Sequence, residues 1–219
     1  MSKINVLNEV KSAAVLPLFY NDSLEVCKNI VKALYNAGIR CIEFTNRGKN
    51  ALDNFKALIE LKQNQYQDLL LGIGTIKNEN DARVFVEAKA DFLVSPFFVQ
   101  EISDYVNDVK VPWIPGCMTP TEIQTAALHG HFMVKLFPGN ILSPSFVSAV
   151  KPLFPEIEFL ITGGVTTEEE NIKKWFAVGA TAVGLGSNLI SNNWSLDSDY
   201  DQLTSNTKAV LELISKYKN

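Results

Sequence analysis

The sequence predicts an α/β fold, a (β/α)₈ barrel of the TIM type, and three observations carry that prediction. The first is a rhythm. A short apolar run, a turn rich in Gly, Pro, Asn or Asp, and a longer amphipathic stretch recur along the chain, with no linker or low-complexity segment between them. The second is a count: eight apolar runs, each followed by a segment of helical spacing, nearly fill the 219 residues. That length lies near the low end of the range for this barrel and suffices for one sizeable core. The third is a missing signature. A doubly wound open sheet is the alternative arrangement of such units, but its Gly-x-Gly-x-x-Gly fingerprint is absent. Gly72-Ile73-Gly74 and Gly184-Leu185-Gly186 each lack the third glycine. The chain therefore reads as a single compact domain over 1–219, with 1–12 as an N-terminal extension.

The apolar runs, in order, are Ala14–Phe19, Cys41–Thr45, Leu69–Ile73, Asp91–Val94, Pro112–Ile114, Phe132–Phe137, Glu158–Ile161 and Ala182–Leu185. Their near-continuous apolarity suits parallel strands covered on both faces. Between them, Leu24, Cys27, Ile30, Val31 and Leu34 recur at steps of three or four, as one helix face requires, and so do Leu52, Phe55, Leu58 and Ile59. Six further helices are predicted over Asp81–Lys89, Val99–Val106, Pro120–Leu128, Ser145–Leu153, Glu168–Val178 and Asp201–Tyr217. Asp22-Ser23, Thr119-Pro120, Ser143-Pro144 and Thr166-Thr167 read as helix starts, and Gly38 and Gly179 as helix ends.

Composition narrows the function classes. A net charge of −4 argues against a nucleic-acid surface, which would carry a basic patch or stripe. It leaves small anions open, because backbone amides bind phosphate without net positive charge. Three widely spaced cysteines, Cys27, Cys41 and Cys117, form no Cys-x-x-Cys pair and suggest reduced, cytoplasmic thiols. No apolar run reaches the roughly 18 residues of a membrane span. The segment Ser12–Tyr20 resembles the apolar part of a signal peptide, but it runs into Asn21-Asp22 without a small-x-small cleavage site and fits a buried strand better. His129 and His131 flank Gly130 without a third placed ligand, so no metal site is expected.

In such a barrel, chemistry sits at the C-terminal ends of the strands. Lys135 lies inside the apolar run Phe132–Phe137, where alternation puts Met133, Lys135 and Phe137 on one face. Burial of an amine favours its neutral, nucleophilic form; the alternative is a lysine whose head reaches water. Glu43 sits in a second apolar strand, and Glu43, Thr45 and Arg47 share a face if the strand continues that far. A carboxylate there needs a cation or a proton to move. Arg47 offers a fork for a substrate carboxylate, or else a structural partner for Glu43. Thr75 closes Gly72-Ile73-Gly74-Thr75. Thr162-Gly163-Gly164 and Gly184-Leu185-Gly186-Ser187 end the seventh and eighth strands, where glycine-rich loops commonly form a phosphate site.

These motifs, in this order, resemble the class I KDPG/KHG aldolases (2-dehydro-3-deoxy-phosphogluconate and 4-hydroxy-2-oxoglutarate aldolases), from about Ala14 to Leu189. Glu43-Phe44-Thr45-Asn46-Arg47 is similar to the family's Glu-x-Thr-x-Arg, and Gly72-Ile73-Gly74-Thr75 to its Gly-x-Gly-Thr. Ser95-Pro96 stands where a strand ends in Ser-Pro, and Ile114-Pro115-Gly116 opens a segment like its Ile-Pro-Gly-x-x-Thr-x-x-Glu. Lys135-Leu136-Phe137-Pro138 resembles the Lys-x-Phe-Pro around the Schiff-base lysine. The resemblance implies Lys135 as that lysine and Glu43 as proton carrier. Arg47 and Thr75 would hold the pyruvate carboxylate, and Pro96 and Phe137 would wall the pyruvyl group. Thr162, Gly163, Gly164, Gly186 and Ser187 would take the distal phosphate of a small 2-keto acid substrate, a 2-keto-3-deoxy sugar acid phosphate. It further implies a cytoplasmic homotrimer that needs no cofactor, metal, nucleic acid or membrane. Phe19-Tyr20, Asn46-Arg47-Gly48 and Pro138-Gly139-Asn140 depart from the family pattern and leave the aldehyde half open, including the galactonate-type substrate. Another phosphate-binding barrel lyase or isomerase, using Glu43 as base, is the alternative.

Overall fold

The computed structural model describes residues 3–218. Nine parallel strands are formed among them: β1 (Val15–Phe19), β2 (Cys41–Thr45), β3 (Leu70–Gly74), β4 (Leu93–Val94), β5 (Trp113–Ile114), β6 (Gly116–Cys117), β7 (Met133–Leu136), β8 (Glu158–Thr162) and β9 (Ala182–Leu185). Their order in the sheet is β5-β4-β3-β2-β1-β9-β8-β7-β6. The two ends of that order, β5 and β6, are joined through Pro115, so the chain itself closes the ring. They are halves of one stave, broken where proline offers no N–H to the ladder. The predicted eight-stave barrel is the fold observed.

Each strand buries both faces. Val15, Ile42, Phe44, Leu71, Ile73, Val134, Leu136, Phe159, Ile161 and Val183 turn outward into the main core beneath the helices. Leu16, Cys41, Leu70, Phe92, Ile114, Met133, Leu160 and Ala182 form the separate barrel interior. A β-carbon on Gly72 would lie 2.3 Å from the Phe92 ring, so the glycine makes room for that large side chain.

Helix α1 (Lys3–Ala13) forms within the stretch expected as an N-terminal extension. Val6 and Val10, one turn apart, join the interior cluster and close the barrel floor. Val10 is fully buried, so Val10→Ala is expected to cost about 1.5–3 kcal/mol in urea unfolding through lost burial and a residual cavity. Turnover should be little changed, because the floor is at the opposite end from the strand termini.

The other helices follow the strands: α2 (Leu24–Ala37), α3 (Ala51–Gln65), α4 (Glu79–Glu87), α5 (Gln100–Val109), α6 (Pro120–Leu128), α7 (Gly139–Val150), α8 (Glu169–Ala177) and α9 (Tyr200–Tyr217). Ser23 caps α2 by accepting from Val26 N, and Gly38 ends it at φ 109°. Thr119 and Glu122 form a reciprocal capping box on α6. Two predicted starts differ. Ser143 (φ 61°) is a break inside α7, whose first turn begins earlier, at Gly139, so Pro144 opens only the second stretch. Thr166-Thr167 does not cap α8; Glu168 precedes that helix, and Thr166 N donates to Oδ1 of Asn171 in its first turn. Among the described residues, no helix is long and apolar enough to cross a membrane.

Candidate active site

Alternation along β2 and β7 turns Glu43 and Lys135 toward the barrel axis, one step above the apolar residues Cys41 and Met133. Lys135 Nζ lies 3.5 Å from Glu43 Oε1, with side-chain exposures of 6% and 1%. Neither Glu43 oxygen makes a hydrogen bond among the described residues. Two desolvated charges in contact but not hydrogen-bonded are a poor structural device, because desolvation is offset only by good geometry and saturated partners. The alternative Glu43–Arg47 pairing is not what forms. The cation beside Glu43 is Lys135, reached across the barrel.

Glycine placement explains how a carboxylate fits there. In the β2–β3 register Glu43 faces Gly72 and Thr45 faces Gly74. A β-carbon at Gly74 would sit 1.8 Å from Glu43 Oε1. Likewise a β-carbon at Gly184 would lie 2.4 Å from Thr162 Oγ1, a buried hydroxyl with no hydrogen-bond partner. The strands thus spend glycine where a polar side chain must stand free inside the barrel.

The rim is assembled from strand ends. The Phe137 ring centroid is 5.6 Å from Lys135 Nζ. Pro96 is half-buried beyond β4, over Gly116, whose β-carbon would meet the Pro96 carbonyl carbon at 2.2 Å. Thr75 takes φ 64° directly after β3. For a β-branched residue this is a strained conformation of the kind that clusters at ligand sites. Arg47 follows β2 by two residues, its N donating to Thr45 O; among the described residues its guanidinium makes no ion pair or hydrogen bond.

Arg47 lines two adjoining cavities. One, of about 150 Å³, is also lined by Phe137, Thr162, Gly163, Gly164, Gly186 and Ser187, which brings seven of the sequence-derived site residues together. The other, of about 430 Å³, shares Arg47, Gly186 and Ser187 and continues over Tyr20, Asn21, Asp22 and Asn192. Thr75 and Pro96 border neither, and Lys135 and Glu43 lie deeper in the barrel. Gly163 (φ 95°) and Gly164 (φ 73°) need glycine's freedom, and a β-carbon on Gly164 would strike Asn140 Cβ at 2.4 Å.

Sequence reasoning missed two rim features. Asn188 lines the smaller cavity and braces it by donating from Nδ2 to Val165 O at 2.7 Å. Its place directly after Gly186-Ser187 was the available signal. Tyr20 donates its hydroxyl to Asp22, and burial, together with that bond, pushes the phenol up to about 12. A β-carbon at Gly48 would lie 2.1 Å from the Tyr20 oxygen. The departures at Tyr20 and Gly48 are therefore one feature, a phenol seated where residue 48 has no side chain. The histidines are used structurally: His129 Nδ1 lies 2.8 Å from Thr125 O and His131 Nε2 lies 2.8 Å from Ser103 Oγ. No group of three His, Cys, Asp or Glu among the described residues is placed to hold a metal ion.

A closed parallel barrel with a buried amine–carboxylate contact near a glycine-lined, arginine-flanked cavity has the build of a (β/α)₈-barrel enzyme acting on a small molecule. A family model described as KDPG and KHG aldolase matches residues 6–206. The chain belongs to the KDPG and KHG aldolase family, whose members are carbon–carbon lyases. It is similar to a Treponema pallidum protein named 2-dehydro-3-deoxy-phosphogluconate aldolase, 27% identical over 212 residues and covering 96% of this chain and 98% of the relative. A 2-dehydro-3-deoxy-6-phosphogalactonate aldolase from Escherichia coli is 27% identical, covering 84% and 88%. A crystal structure of a 4-hydroxy-2-oxoglutarate/2-dehydro-3-deoxyphosphogluconate aldolase superposes with a TM-score of 0.81 at 30% identity, covering 98% of this chain and 99% of the other.

One substitution tests the site's packing. Gly74→Ala places a methyl on the Glu43 carboxylate and must displace it. Turnover is expected to fall about 10²-fold, as small misplacements of reacting groups do, while the far-ultraviolet circular dichroism stays native.

Proposed function

We propose that this protein is a class I aldolase that cleaves a 2-keto-3-deoxy sugar acid phosphate to pyruvate and an aldehyde. The preferred substrate is 2-dehydro-3-deoxy-6-phosphogluconate, yielding glyceraldehyde 3-phosphate, with 4-hydroxy-2-oxoglutarate, yielding glyoxylate, as a second. The observation that carries this reading is the buried Lys135–Glu43 contact, 3.5 Å long, in which the carboxylate has no hydrogen-bond partner among the described residues. Lys135 Nζ adds to the substrate ketone. Loss of water, with Glu43 moving the protons, leaves a protonated imine. Glu43, directly or through water, then removes the proton of the C4 hydroxyl. The C3–C4 bond breaks, its electron pair enters the enamine, and the aldehyde departs. Protonation of the enamine at C3 and hydrolysis of the imine release pyruvate and regenerate the amine. The imine serves as electron sink, so no free carbanion forms.

Arg47 and Thr75 hold the carboxylate end, Pro96 and Phe137 wall the pyruvyl group, and the loops at Thr162–Gly164 and Gly186-Ser187 take the distal phosphate through backbone amides and hydroxyls. We further read the working form as a cytoplasmic homotrimer without metal or cofactor. The test is covalent. Borohydride reduction in the presence of pyruvate is expected to leave a reduced adduct on Lys135, located by peptide mass spectrometry. No adduct on the folded protein overturns the proposal in favour of a barrel isomerase in which Glu43 is the base and Lys135 an electrostatic donor. A panel of phosphorylated and unphosphorylated gluconate- and galactonate-type substrates then assigns the aldehyde half.

A further inference from the structure

We infer that Trp113 is a positioning residue for the pyruvyl half of the substrate, acting through a hydrogen bond to Ser95 that holds Pro96 against the reacting carbons; this rests on the aldolase reading above. The stave that carries Pro96 needs such a device. β4 has two residues, pairs with β3 only at Ile73–Leu93, and pairs with β5 at Leu93–Trp113 and Val94–Ile114. Beyond Val94 the ladder contributes one more bond, Ser95 N to Ile114 O at 3.1 Å, and Pro96 has no N–H to donate. Side chains do the rest. Trp113 Nε1 donates to Ser95 Oγ at 2.8 Å, both residues being buried, and Gly116 provides the bare backbone on which Pro96 sits.

The indole is itself fixed, in the core beneath the helices, by the segment that leads into β7. The His131 ring meets it edge-on, with centroids 4.8 Å apart and planes at 85°. His131 Nε2 is hydrogen-bonded to Ser103 Oγ of α5, and its N donates to Ala126 O of α6. His131 lies four residues before Lys135 on the same run of chain. Two buried hydrogen bonds, joined by the ring–ring contact, therefore connect Ser95, the neighbour of Pro96, to the segment that leads into β7. Satisfied networks of this kind hold one geometry rather than several.

The test uses Trp113→Phe, which removes the N–H and keeps a ring, Ser95→Ala, and the double variant, assayed in aldol addition of pyruvate to glyceraldehyde 3-phosphate. Each single change is expected to raise the KM for pyruvate about tenfold while the KM for the aldehyde holds, with the double variant no worse than the poorer single. Wild-type values of both KM and kcat in Ser95→Ala, even with a lowered Tm, overturn the inference and leave the bond a packing feature. A parallel loss for both substrates overturns it equally. Should Trp113→Phe fail to fold, Ser95→Ala decides alone. Borohydride trapping of the wild type separates the two ideas: no adduct there removes the aldolase reading itself, whereas an adduct with unmoved pyruvate KM in the variants removes only the role of Trp113.

Discussion

Lys135→Met is expected to lose about 10⁴-fold or more in turnover and to give no borohydride adduct with pyruvate. The substitution keeps an unbranched side chain of similar length within the barrel and removes the nitrogen that would become covalently bound. Lys135→Arg behaves the same way if the amine is a nucleophile, because a guanidinium stays protonated. Substantial activity in the arginine variant would show that only a positive charge is required. The methionine change also has a structural consequence. Glu43 is left buried with no cation, and breaking a buried pair by removing one partner costs about 3–5 kcal/mol. Urea unfolding should register that loss. Lys135→Met/Glu43→Gln should recover most of it while remaining inactive, which separates the energetics of the pair from its chemistry.

The barrel was legible because parallel strands buried on both faces read as unbroken apolar runs; Cys41–Thr45 and Ala182–Leu185 were placed to the residue. The same rule exposed the site, since a charge inside such a run stands out. Lys135 and Glu43 were the anomalies in two of the eight runs. Their mutual contact was not legible. It depends on β2 and β7, which are not neighbours in the sheet, facing one another across the axis, whereas local spacing suggested Arg47 as the partner. α1 escaped notice because its buried face rests chiefly on Val6 and Val10, too short a stripe to assert a period. The start of α7 at Gly139 was hidden for a related reason: a β-carbon there would lie 2.7 Å from Gly163 O, a contact between two loops distant in sequence. The pairing of Tyr20 with Gly48 is a contact between two loops, invisible until both are folded.

Glu43→Gln isolates the second role. Glutamine preserves the shape beneath Gly74, so the barrel should fold as before, but an amide cannot carry the proton. Proton transfer by a positioned group is worth about 10²–10⁴-fold, and kcat is expected to fall within that range. The KM for pyruvate should change little, because Arg47 and Thr75, not Glu43, are assigned to the carboxylate. The borohydride adduct should still form on Lys135, only more slowly, since the amine remains and the dehydration steps lose their carrier. That split, slow turnover with a trappable lysine, distinguishes a proton carrier from a residue that merely keeps Lys135 in place. Were Glu43 only a counter-charge, glutamine would impair trapping and turnover to the same extent. If it were dispensable, kcat would stay within about threefold of the wild type, and the free carboxylate oxygens inside the barrel would need another explanation.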